Sequence, residues 1–221
     1  MNTEATLLAV DKDPIMANAL ERLKTDQNHL EVFSQDILEF PIENKLREKL
    51  TGDHKGKILG NLPYHLTTPI LAQLLKLHSC VSTIVVMVQE EVARRFTAKP
   101  GTSDYSSLTV FLNFFSTPRY GFTVSRNCFY PVPNVDSGVV ILDLHPPLEV
   151  SNQASFFEMT RTAFGQRRKM LRASLKELYT SQKVEEALIK MGRDVQSRPE
   201  ELSVQDFINL FNLIQIRSLD E

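Results

Sequence analysis

Cysteine is nearly absent from this sequence. Cys80 and Cys128 stand alone, too few for a disulfide framework and without the paired spacing of a zinc site. Five histidines are scattered with no ligand spacing, so no resident metal is expected. Long apolar runs are missing as well. None approaches the ~20 residues that a membrane-crossing helix needs. The opening Met1-Asn2-Thr3-Glu4 has neither the basic nor the apolar block of a secretory leader. Internal repeats and low-complexity segments are also absent. Positive charge is not in excess: 25 Lys and Arg face 27 Asp and Glu, for a formal net charge of −2. That excludes a generally basic coat for nucleic acid. Together these absences point to a reducing, cytoplasmic setting with no membrane, and to a monomer as the default.

The 221 residues are 42% hydrophobic, enough for a sizeable core. They fit one large domain, or a medium domain with a small appendage. The cations are unevenly placed. Between positions 161 and 176 stand Arg161, Arg167, Arg168, Lys169, Arg172 and Lys176, with no acid among them. A smaller group is Arg94, Arg95 and Lys99. Any RNA contact should be confined to such patches, although a charged run is also what a plain solvated helix face shows.

Hydrophobic periodicity divides the chain. Thr6-Leu7-Leu8-Ala9-Val10 predicts a strand ending at Asp11. Asp13 suits an N-cap and Pro14 the first position of a helix with Ile15, Met16, Ala19, Leu20 and Leu23 on one face. Leu30-Glu31-Val32-Phe33 predicts a second strand that ends near Asp36. Each strand thus delivers an acid at its carboxyl end, where a cap or a solvated loop would also place one. Residues 41–56 read as helix or loop. Ile58-Leu59 reads as the end of a buried strand, and Thr68, as N-cap, and Pro69 announce a helix. Residues 82–88, β-branched and apolar, predict a buried parallel strand, and 89–96 a helix. Residues 98–105 form a turn-rich loop, and Leu108, Phe111, Leu112 and Phe115 mark another helix. Residues 119–124 and 138–144 read as two strands able to pair antiparallel. Pro146-Pro147 marks a boundary. Beyond it the periodicity is helical over 156–164, 170–178, 184–191 and 204–214, with Ser203 and Asp206 placed to cap the last.

Between strand and helix lies Asn61-Leu62-Pro63-Tyr64. In open α/β sheets that loop is on the ligand-binding edge. A carboxamide and nearby carbonyls offer acceptors to an amino group, and a tyrosine offers a face on which a base can stack. A plain turn would also use Asn and Pro. The motif resembles the catalytic loop of S-adenosylmethionine-dependent N6-adenine methyltransferases. With Phe129-Tyr130-Pro131-Val132-Pro133-Asn134-Val135-Asp136-Ser137 it resembles the ribosomal RNA adenine dimethyltransferase family. Residues 88–105, 164–169 and 198–203 also match that family's pattern, the last two in its small-subunit branch.

The resemblance implies an α/β fold: a Rossmann-like class I methyltransferase sheet over 1–147, followed by a small all-helical RNA-binding domain over 148–221. It implies transfer of methyl groups from S-adenosylmethionine to N6 of two adjacent adenosines near the 3′ end of small-subunit ribosomal RNA, in the immature small ribosomal subunit. By resemblance Asn61, Leu62, Pro63, Tyr64 and Phe129 form the catalytic pocket, with Tyr64 and Phe129 flanking the base. Asp11, where the family usually has Glu, meets the cofactor ribose, through a longer or water-bridged contact because Asp is one methylene shorter. Asp36 meets the cofactor's adenine, and Asn61 also borders the cofactor. Arg167, Arg168, Lys169 and Arg172 are the first candidates for RNA phosphates. Arg94, Arg95 and Lys99 are the second. One departure is plain. Members begin with a basic arm, a central strand and a G-x-G-x-G turn against the cofactor's methionine end, and this sequence begins at what resembles the second strand. A gap in the sheet is therefore expected. Either the chain is an N-terminally truncated form of the enzyme or it has lost methyl transfer, and two rival readings stay open: a catalytically inactive ribosome-assembly or RNA-binding factor, and a DNA N6-adenine methyltransferase, against which the C-terminal motifs argue.

Overall fold

The computed structural model describes residues 5–25, 29–166 and 168–216. In chain order the elements are β1 (Leu7–Asp11), α1 (Pro14–Glu21), β2 (Leu30–Ser34), α2 (Ile42–Lys49), β3 (Gly56–Asn61), α3 (Thr67–Leu74), β4 (Val81–Gln89), α4 (Glu90–Phe96), α5 (Ser107–Phe115), β5 (Ser116–Val124) and β6 (Ser137–Leu144). Four helices follow: α6 (Gln153–Gly165), α7 (Leu171–Ser174), α8 (Ser181–Lys190) and α9 (Val204–Ile216).

The strands make two sheets. β1 pairs with β2 in parallel. The other sheet has the order β3-β4-β6-β5, with β3 parallel to β4 and β6 antiparallel to both of its neighbours. This is the expected α/β architecture with helices at the C-terminal end. The expected gap is there too: among the described residues β1 has no strand partner but β2, and β3 none but β4. β4 is the spine of the larger sheet. Val81, Ile84, Val86 and Val88 are fully buried, as a strand enclosed by helices requires. α4 lies directly on β6: a Cβ on Gly138 would sit 2.5 Å from the Ala93 Cβ, so only glycine admits this approach.

The helical region shares the core of the sheet. The chain runs without regular structure through Pro146 and Pro147, and α6 and α9 then return to α5. Aromatic rings join them: Phe114 to Phe156 at 5.3 Å, Phe111 to Phe157 at 5.1 Å and Phe156 to Phe211 at 5.7 Å between centroids. Tyr105, from the 98–105 loop, packs its buried ring on Phe164 at 5.9 Å. Burial pushes its phenol up, and the charge of Asp206 adds to the effect. α9 begins with the reciprocal cap read from sequence. Asp206 N donates to Ser203 Oγ at 3.1 Å, and Ser203 N donates to Asp206 Oδ2 at 3.0 Å.

Three local expectations are corrected. The apolar side of α1 is not a buried face: Ala17 is its one buried residue, and Ile15, Met16 and Leu23 are more than half exposed. α3 starts at Thr67 after a 3₁₀ turn over Tyr64–Leu66, so Thr68 is inside the helix and not its cap. Pro69 still fits, because N–H groups in the first turn have no intrahelical partner. The predicted helix over 170–178 is α only at Leu171–Ser174. It gives way to turns in which Leu178 and Tyr179 both donate to the Leu175 carbonyl, and Thr180 then caps α8.

Two outcomes follow. Gly138→Ala should force α4 and β6 apart and cost about 1–3 kcal/mol, read as a lower Tm with little change in helix content. Asp206 supplies a pH dependence. Burial alone would raise its pKa, but bonds from the Ser203 hydroxyl, Arg193 and the Ser203 N–H outweigh it and hold the carboxyl below the usual range. A depressed folded pKa gives stability that is complete above the unfolded value, about 3.9, and is lost as pH falls through the folded one. Acid unfolding curves should therefore lose part of their steepness below about pH 4 in Asp206→Asn.

Candidate active site

β4 carries the site. β3 lies on one side of it with Asn61 opposite Met87, and β6 lies on the other with Ser137 opposite Gln89. Strands lie about 4.8 Å apart, so Asn61 and Ser137 flank β4 at about 10 Å across, offset by two residues. Everything that leaves β3 and everything that enters β6 meets at this edge.

On the β3 side the chain turns sharply. Leu62 N donates to the Met87 carbonyl at 3.3 Å, and the Leu62 side chain is buried at 8% exposure. That anchor leaves Asn61 and Pro63 exposed, and Tyr64 is 42% exposed. The following turn takes its acceptor from Pro63, whose carbonyl receives Leu66 N at 2.9 Å and the Thr67 hydroxyl at 3.4 Å. Among the described residues no hydrogen bond ends on the Asn61 carboxamide or the Leu62 carbonyl. Two neighbouring acceptors therefore stand open beside an aromatic ring.

On the β6 side the 129–137 loop is fastened at both ends. Asp136 accepts Glu90 N on its carbonyl at 3.0 Å and Arg126 N on Oδ1 at 2.9 Å. Arg126 Nη1 donates to the Asn134 carbonyl at 3.1 Å, and Phe129 N donates to the Arg126 carbonyl at 3.2 Å. Phe129 is half-buried. The two motifs are joined through side chains: the Tyr64 hydroxyl lies 3.2 Å from Ser137 Oγ. Sequence reasoning gave Asp136 and Ser137 no role beyond their place in a motif. Their partners lie ten or more residues away, and only the strand register reveals them.

Asp11 and Asp36 sit at the carboxyl ends of the β1–β2 pair, both half-buried. Asp11 Oδ1 accepts Asp13 N at 2.9 Å, and Asp36 Oδ1 accepts Leu38 N at 3.0 Å. The backbone is bound too, with Gln35 N donating to the Asp11 carbonyl at 3.1 Å. Each carboxylate thus spends one oxygen on its own turn, and among the described residues the other has no hydrogen-bond partner.

The basic candidates divide. Arg168 and Lys169 are exposed and, among the described residues, carry no ion pair. Arg167 lies outside the described residues. Arg172 is committed to Glu185 of α8 at 2.5 Å. Arg94 pairs with Glu90 at 2.7 Å and Arg95 with Glu91, all on exposed faces of α4, while Lys99 is exposed and unpaired among the described residues.

A family model described as "Ribosomal RNA adenine dimethylase" matches residues 4–216. Ribosomal RNA small subunit methyltransferase A of Protochlamydia amoebophila is 55% identical over 213 residues, covering 96% of this chain and 75% of that protein. The protein of the same name from Chlamydia muridarum is 44% identical over 214 residues, with 96% and 75% covered. Among solved structures, a dimethyladenosine transferase from Plasmodium falciparum superimposes with a TM-score of 0.71 at 23% identity, covering 93% of this chain and 80% of that one. The 23S rRNA methyltransferase ErmE gives 0.69 at 24% identity, covering 95% and 82%. These two share the fold. The chain spans about three quarters of the length of the two curated relatives.

If the Tyr64–Ser137 bond joins the two motifs, Tyr64→Phe and Ser137→Ala should each cost about 0.5–1.5 kcal/mol in urea unfolding. The double variant should lose no more than the worse single one. Fully additive losses would show that the hydroxyls do not interact.

Proposed function

The chain belongs to the ribosomal RNA adenine dimethylase family, and from that membership we propose how its residues perform the reaction. The activity is adenine dimethylation of small-subunit ribosomal RNA: the family description names adenine dimethylation, and the names of relatives 55% and 44% identical supply the small subunit. Those names lend no support to a catalytically silent assembly factor or to a DNA enzyme. We take the substrate to be two adjacent adenosines near the 3′ end of that RNA, and the methyl donor to be S-adenosylmethionine.

The donor's nucleoside end fits the residues present. The Asp11 carboxylate would receive a ribose hydroxyl and the Asp36 carboxylate the adenine amino group, each with the oxygen left over from its turn. When bound, S-adenosylmethionine supplies an activated sulfonium methyl.

An adenine amine is a poor nucleophile because its lone pair is delocalised into the ring. It is barely acidic, so a general base gains little. What helps is alignment. The Asn61 Oδ1 and the Leu62 carbonyl accept the two N–H groups, favour a more tetrahedral nitrogen and turn its lone pair towards the methyl. Forming the new N–C bond would break the methyl–sulfur bond of the donor and leave a neutral thioether, and the nitrogen would give up one proton to solvent at the exposed Asn61 edge. The base has to leave its stack to reach these acceptors. Tyr64 and Phe129 hold it there, and stacking of roughly 1–3 kcal/mol per base offsets the few kcal/mol of unstacking. The unpartnered pair of acceptors beside Tyr64 is the single observation that carries this reading.

Asn61→Ala should lower methyl transfer to immature small subunits by at least about 100-fold, the scale of losing one aligned donor–acceptor contact in a transition state, with RNA affinity nearly kept. Undiminished turnover would refute the assignment. Among the described residues, Arg168 and Lys169 are exposed cations of the C-terminal patch that carry no ion pair. Changing both to Gln should weaken RNA binding and reduce the log–log salt slope by about 2, whereas Arg172→Gln should mainly lower Tm, since its guanidinium is bound to Glu185.

A further inference from the structure

Tyr130 is fully exposed, at 100%, although it follows the half-buried Phe129 in a loop fastened at both ends. A tyrosine without packing neighbours gains nothing for the fold, and exposed aromatic surface carries a hydration cost. Val132 and Val135 of the same loop are also exposed, so the loop presents further apolar surface. Arg126 lies at the base of the loop. It spends one N–H on the Asn134 carbonyl, and among the described residues no acid pairs with it. A flat unpacked ring and a guanidinium without an acid partner on one anchored loop match the two halves of a nucleotide, a base and a phosphate.

We infer that Tyr130 and Arg126 form an outer subsite for the nucleotide next to the target adenosine in the RNA strand, with the Tyr130 ring stacking its base and Arg126 holding its phosphate. This inference rests on the RNA reading above and extends the same surface outwards by one nucleotide. The occupant is RNA and not a protein strand, because the loop adjoins the proposed base pocket and carries a cation at its base. Stacking on Tyr130 would keep the neighbouring base out of the pocket, so that one amine at a time meets Asn61.

The test uses the full 221-residue chain and a single-stranded RNA with 2-aminopurine beside the target adenosine, whose emission is quenched by stacking. The wild type and Tyr130→Phe should quench it. Tyr130→Ala should not, and should bind at least about fivefold more weakly, the lower end of one base–aromatic stack. Its Tm should be unchanged. Arg126→Gln should keep the quenching at saturation and lower the salt slope by about 1. Quenching by Tyr130→Ala equal to wild type overturns the subsite. So does a Tyr130→Phe protein that behaves like Tyr130→Ala, because the hydroxyl and not the ring would then matter. Wild-type protein that fails to bind the RNA at all overturns the RNA reading itself, and the subsite with it.

Discussion

The register of β4 is the constraint on which the rest depends. One strand holds β3 on one side in parallel and β6 on the other antiparallel. The carboxyl end of β3 and the amino end of β6 therefore arrive together, although 76 residues of sequence separate Asn61 from Ser137 by their numbers. A slip of one residue on either side would turn every side chain of that strand to the other face. The buried row of Ile84, Val86 and Val88 on β4, with Val140 and Leu142 on β6, makes such a slip costly. Core packing thus fixes the site to within one residue before any polar contact forms. The Tyr64–Ser137 bond then acts on a geometry already in place.

That division of labour explains what the sequence disclosed. β4 was legible because a strand enclosed on both sides is apolar throughout. The β5–β6 pairing was legible because two strand-like runs flank a proline-rich loop. The caps of α1 and α9 were legible because Asp13 with Pro14, and Ser203 with Asp206, act within one turn of chain. The misread elements depend on what is distant. The start of α3 follows from Leu62 being tied to Met87, which imposes a 3₁₀ turn that propensity cannot foresee. The ends of α7 follow from where α8 must begin. Periodicity in α1 identified residues that favour burial, but it could not say whether anything covers them. At the site, residue types were readable and their partners were not. A run of arginines looks alike whether its charges face solvent or are bound to Glu90, Glu91 and Glu185.

Those ion pairs change how RNA is to be held. The chain is formally −2, and several of its arginines are already matched by carboxylates. Exposed pairs of this kind stabilise the fold little. They do lower the positive field that the surface can present. Fewer free cations mean fewer counterions released on binding and a shallower dependence on salt. Affinity must then come more from stacking and from shape. The exposed rings at the 129–137 loop and at Tyr64 suit such a balance, since base–aromatic contacts are short-ranged and insensitive to ionic strength.

The two-part sheet gives the acidic edge a different mechanical character from the amide-bearing turn. Asn61 and Ser137 stand on a four-stranded sheet backed by a continuous core. Asp11 and Asp36 stand on a two-stranded one, and pairs of strands are marginal alone. The pair is held to the rest by the ring contact of Phe33 with Phe40 at 4.9 Å, by partly buried Val10 and Ile37, and by the exposed Lys49–Glu31 ion pair. Apart from the exposed ion pair these are apolar contacts, which fix burial better than they fix angle. A ligand that spans both acids and reaches Asn61 would bind the less anchored part to the more anchored one. It would therefore add stability that grows with the logarithm of its concentration above the dissociation constant. Such a ligand would tie the two-stranded part of the sheet to the four-stranded part at the edge where the amide-bearing turn stands.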